Sequence, residues 1–125
     1  MLIIVADVLT ALVGAGIIYI GWREFRAPQD SAGFGIPATP TDDPTFQAWL
    51  AVKAVRDIAS GVFILILLIG ATDHLRGWFM LAAAGIPLGD MLIVLRSGGP
   101  RAIAYGVHGA TAVVALAAGV LLLVA

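Results

Sequence analysis

The chain has 125 residues, 61% hydrophobic and 12% charged, with a mean hydropathy of +1.03, whereas an ordinary soluble domain carries about 25% charged residues. That composition points to a polytopic membrane protein and leaves little chain for a soluble domain. The formal net charge of −1 gives no electrostatic basis for binding nucleic acid, and the absence of cysteine excludes disulfides, thiolate chemistry and cysteine metal sites.

Four spans of about 20 residues each would use most of the chain, so the expected fold is all-α: one polytopic four-helix transmembrane bundle over residues 1–125. The first span is predicted at 2–22, with Asp7 and Thr10 as its only strongly polar members. Asp7 falls near the outer headgroups, because only six residues precede it. The segment lacks a basic lead and is too long for a signal peptide's apolar core, so it is expected to be a retained first helix. Gly14, Gly16 and Gly21 leave room for a neighbouring helix. Tyr19 and Trp22 suit an interfacial aromatic belt, and Arg23, Glu24 and Arg26 mark the exit from the membrane.

Residues 27–44 hold four prolines together with Gly33 and Gly35, which opposes continuous helix. The apolar FGIP at 34–37 either folds back over the helix ends as a lid or packs a single phenylalanine. Asp43 followed by Pro44 reads as an N-cap and first-turn proline, starting a second helix at 45–69. On it Lys53, Arg56, Asp57 and Ser60 fall at i, i+3, i+4 and i+7, on one face. Such charges near a bilayer centre cost about 2.5–3.5 kcal/mol each, so they demand partners or a task.

Residues 70–77 read as a short turn containing Asp73, His74 and Arg76, which makes the second and third spans antiparallel neighbours. The third span, 78–95, contains Pro87, expected to kink it, and Asp90 one turn later. The last span, 102–124, carries Tyr105, His108 and Thr111 at every third position, a polar stripe on an aliphatic helix. Loops one and three hold Arg23, Arg26, Arg96 and Arg101, against Arg76 alone in loop two. The positive-inside rule then places both termini on the extracytoplasmic side.

Counting about 1.5 Å per residue from the cytoplasmic helix ends puts Asp90 and His108 about 9 Å deep, and protrusion of the amphipathic first turns of the second span would bring Arg56 and Asp57 to the same layer. These four are the candidate catalytic residues. Lys53, Tyr105, Thr111, Trp49, Tyr19, Trp22 and Phe34 are the candidate substrate-binding set. The competing reading is purely structural, with Arg56 paired to Asp90 and Lys53 to Asp57 to set helix register. A metal is disfavoured, since one histidine and two carboxylates beside an arginine make a poor cation cage, and no cofactor is implied.

The segments GWREFRAPQDSAGFGIP, KAVRDIASG, IPLGDMLIVLRSGG and YGVHGA, in this order and covering most of the chain, resemble the small bacterial and fungal membrane family catalogued as domain of unknown function 4267. The resemblance implies a four-helix fold in a cell membrane, of bacterial type, and by analogy directs attention to Arg56, Asp57, Asp90 and His108. It brings no activity with it.

Three functions fit this reading. The first is an intramembrane enzyme performing acid and base chemistry on a lipophilic small molecule or lipid, as an epoxide hydrolase, isomerase or cyclase. Asp57 beside Arg56 would act as base, Asp90 as acid and His108 as proton shuttle. Carboxylates grouped with an arginine also resemble the epoxide-opening arrangement of the soluble limonene-epoxide-hydrolase family, an analogy across unrelated folds. The second is a proton-coupled small-molecule exporter working as a homodimer, against which stands the apolar outer half of the spans. The third is a noncatalytic accessory subunit using the small-residue faces at Gly14, Gly106 and Gly109.

Overall fold

The computed structural model describes residues 1–125 and is all-helical. Helix α1 is Leu2–Arg26, followed by a 3₁₀ turn at Pro28–Phe34 and helix α2 at Pro44–Gly70. Helices α3 (Asp73–Ala83) and α4 (Gly85–Arg96) follow one another across a break at Ala84. Helix α5 (Arg101–Ile103), a π segment (Ala104–Gly109) and helix α6 (Ala110–Val124) complete the chain. Three stretches are long and apolar enough to cross a membrane: Leu2–Arg26, Asp73–Arg96 and Arg101–Val124. The chain is therefore an integral membrane protein, and its many exposed apolar side chains, such as Leu12, Phe63, Ile66 and Val113, face lipid rather than water.

The tightest packing joins α1 to α2. Gly14 and Gly21 on α1, seven residues apart, face Gly61 and Ala54 on α2, again seven apart and running the other way. A Cβ at Gly61 would strike the Gly14 carbonyl oxygen and the Ile18 side chain, and one at Gly21 would lie 2.8 Å from the Ala54 carbonyl oxygen. Only small residues at these positions let the two backbones touch, which is how helices associate when lipid removes the hydrophobic driving force. Gly16, expected in the same role, faces open space. A second such pair, Gly77 and Gly119, seats α3 against α6. Helix α6 also packs on α1.

Consequently α2 makes its main contact with α1 rather than with α3, although only Ala71 and Thr72 separate α2 from α3. The second and third spans are thus not the packed antiparallel neighbours expected from that short turn, because the small residues that permit close approach to α2 lie on α1. The buried apolar cluster of Ala6, Ile64, Met80, Ala84, Ala115, Ala118 and Leu122 fills the half of the molecule nearest the termini.

Several helix boundaries differ from the sequence expectation for identifiable reasons. The third stretch begins at Asp73, not at 78, because the Thr72 hydroxyl accepts the Leu75 amide and Asp73 lies in the first turn. Gly77, read from sequence as a turn residue, is instead the helical position that admits α6. The break at Ala84 lies upstream of Pro87, because a proline removes the donor that the carbonyl one turn earlier, on Ala83, would have used. Helix α2 starts where expected, with the Asp43 carboxylate accepting the Phe46 amide at 2.8 Å.

Near the termini, Arg76 is buried and donates to Asp7 at 2.6 Å and to Asp73. Asp7 is therefore not a solitary headgroup residue; it ties α1 to α3. Two outcomes follow. Gly61→Leu should lower the thermal stability of the purified protein by an amount at or above the 1–3 kcal/mol typical of overpacking, measured by heating with size-exclusion readout. Arg76→Met should cost about 1 kcal/mol rather than the 3–5 kcal/mol of a fully buried pair, because Asp7 and Asp73 remain about half exposed.

Candidate functional site

At the end of the molecule away from the termini, α1, α2 and α4 enclose a cavity of about 310 Å³. Helix α1 runs one turn past Trp22, to Arg26, and carries Glu24 on its α2-facing side, one turn after Gly21. Because the Gly21/Ala54 contact brings the two helices together, Lys53 reaches both Glu24 Oε1, at 2.5 Å, and Asp57 Oδ2, at 2.6 Å. Glu24 and Lys53 line the cavity from one side, and Asp90 and Ile93 of α4 line it from another. Phe46 and Leu50 of α2 and residues 36–40 of the loop supply most of the rest.

The loop closes the cavity as a roof and is pinned at several points. The Phe34 ring packs 4.3 Å from the His108 ring, and Phe34 O is 2.8 Å from His108 Nε2, which donates to it. Gly35, at φ 107°, is pressed against Gly99 so closely that a Cβ on Gly99 would strike the Gly35 carbonyl oxygen. Arg23 pairs with Asp30, and Gln47 donates to the Thr41 carbonyl at 2.9 Å. The FGIP stretch thus folds back over the helix ends, one of the two arrangements its composition allowed.

The residues singled out in the sequence are divided by the structure. Lys53, Asp90 and Phe34 line the cavity. Asp57 does not; it sits behind Lys53 with a largely buried side chain. His108 is buried and serves the roof. Asp90 lies within electrostatic reach of His108, Lys53 and Asp57, so these four share one neighbourhood. Arg56 does not join them: it is exposed and donates to the Val52 carbonyl of its own helix. The cation expected from Arg56 is supplied by Lys53, and the Arg56 to Asp90 pairing is not formed.

Tyr105 and Thr111 also point away. The π segment turns with more residues per turn than an α-helix, so the every-third-residue stripe does not stay on one face: His108 is buried, whereas Tyr105 and Thr111 are exposed. Thr111 donates to the carbonyl of Val107. Tyr19, Trp22 and Trp49 are all exposed, with the Tyr19 and Trp22 rings tilted against each other at 6.1 Å on the outer surface of α1. They belong to the membrane interface rather than to the cavity.

Glu24 was missed as a site residue. Its side chain is only 9% exposed, and its second oxygen, Oε2, is buried without a hydrogen-bond partner. The sequence did hold a signal, since Gly21 and Glu24 stand at i and i+3 on one face, but reading Arg23 to Arg26 as solvated charges after the membrane exit concealed it. No three metal-ligating side chains come together as a cation site.

No curated protein and no solved structure matches the chain at a significant level. A family model described as a domain of unknown function, DUF4267, matches residues 14–122, a stretch that includes every residue lining the cavity. By that match the chain belongs to the DUF4267 family.

Proposed function

We propose that the chain is an intramembrane acid–base enzyme acting on a lipophilic small molecule, held in four crossings with both termini on the extracytoplasmic side. Helix α2 supplies the fourth crossing. It departs from the composition of a span through Lys53, Arg56 and Asp57, yet its 27 residues, about 40 Å of helix, pack along α1. The orientation is supported by Arg23, Arg26, Arg96 and Arg101, which cluster at the cavity end, against Arg76 at the other.

The observation that carries this reading is a cavity with apolar walls into which Asp90 projects with no basic side chain paired to it. Ligand pockets commonly combine mostly apolar walls with a few convergent polar groups, at volumes from about 300 Å³ upward. Lys53 pairs with Asp57, whereas Asp90 forms no ion pair and faces the cavity. Two carboxyl groups in such different surroundings suit protonation of an oxygen or alkene at one point and proton removal at another. Epoxide opening, isomerisation and cyclisation of terpenoid-like substrates all use that pair of steps. His108 acts here as a positioning residue that holds the roof, in place of the proton shuttle expected from sequence.

The test is conversion of a panel of lipophilic terpenoid epoxides by the purified protein in detergent. Asp90→Asn should lower turnover at least about 100-fold, the usual scale of a general acid or base, with the unfolding temperature retained. Arg56→Gln should stay within about twofold. Full activity in Asp90→Asn would overturn the assignment, and counterflow of protons and a solute in reconstituted vesicles would replace it with the exporter.

A further inference from the structure

The polar end of the cavity is matched to a particular kind of ligand. Glu24 and Asp57 set two carboxyl groups against a single ammonium, Lys53, and Asp90 and His108 lie nearby. Lys53 already donates to Glu24 and Asp57, and its Nζ lies 5.4 Å from the centre of the Phe34 ring. Its three donors are thus directed at groups of the chain itself, which leaves it poorly placed to capture an anion. What lacks a partner is an acceptor. Glu24 lines the cavity, its side chain is more than nine-tenths buried, and Oε2 accepts nothing from the protein. A buried acceptor left unsatisfied costs about 1–3 kcal/mol, and more when it is charged.

We infer that the cavity binds a lipophilic amine, whose ammonium head donates to Glu24 Oε2, while its apolar body lies against Phe34, Phe46, Leu50 and Ile93. A carboxylate or phosphate head would meet two or more like charges and no free donor. A neutral alcohol would satisfy the oxygen but not the excess negative charge. The aromatic rings of Phe34 and Phe46 at the cavity wall favour a cation further. This rests on the reading above that the cavity takes a lipophilic molecule. It assigns to Glu24 a role in recognition that is separate from the proton transfer assigned to Asp90.

The experiment compares three probes with one chain length and different heads: octylamine, octan-1-ol and octanoate. Saturation binding of radiolabelled octylamine to the full chain in phosphatidylcholine nanodiscs is measured, with empty nanodiscs subtracted, and the other two probes serve as competitors. Saturable binding near one per chain is expected, with octan-1-ol and octanoate each at least tenfold weaker. Glu24→Gln should weaken octylamine at least tenfold, and Arg56→Gln should leave it unchanged. Should Glu24→Gln fail to fold, Thr39→Lys places a positive charge in the cavity wall from the loop and should produce a similar loss. Non-saturable octylamine uptake, preference for octanoate, or unchanged affinity in the folded variants would overturn the inference. Failure here alongside epoxide conversion would remove the amine and leave the acid–base reading standing; amine binding without conversion would do the reverse.

Discussion

Everything at the cavity depends on the backbone contact between α1 and α2. Two small residues on each helix, at matching seven-residue spacing, bring the axes so close that a single methyl group at Gly61 would collide with the opposite backbone. That approach is what lets Lys53 reach across to Glu24, 29 residues away in sequence. With a wider separation Lys53 would have only Asp57 on its own helix, and Glu24 would have to hold its charge at the membrane boundary without a counter-ion. Buried ions without partners are strongly destabilising, so packing and electrostatics here enforce the same geometry.

The molecule carries two ionic clusters, one beside the packed apolar core and one beside the cavity. Asp7 and Glu24 lie on one helix about 25 Å apart, one near each end. Near the termini, Arg76 clamps Asp7 and Asp73 beside the closely packed apolar cluster. At the other end, Lys53 joins Glu24 and Asp57, but the space between α2 and α4 is left open as a cavity. The termini end also has a shallow apolar hollow, lined by Met1, Leu2, Ile3, Val124 and Ala125, so what distinguishes the other end is the set of charged side chains, Glu24, Lys53 and Asp90, that line its cavity.

The roof explains why the last membrane-length stretch, Arg101–Val124, is irregular. His108 can meet Phe34 only if it is buried on the side facing the loop, and the π segment supplies the rotation that puts it there while Tyr105 turns to lipid. π segments recur at functional sites because they reorient one side chain without breaking the helix. The price is one polar stripe that the sequence displays and the fold does not keep. Gly35 and Gly99 then bring the loop against the turn after α4, so the roof is held by the same elements that form the walls.

Much of this was legible in the amino-acid order. Apolar runs of membrane length follow from hydropathy alone, since lipid requires every backbone group to be satisfied within a helix. Asp43 with Pro44 marked the start of α2, and the spacing of Lys53 and Asp57 marked their pairing, because both are local consequences of helical period. Family membership was likewise readable from local motifs. Tertiary structure decided the partners. That Lys53 rather than Arg56 serves the cavity, that Glu24 belongs to it, and that Tyr105 does not, all depend on how helices are rotated about their axes. That rotation is set by which small residues meet across an interface and by a π turn, and neither is encoded in the periodicity of a single helix.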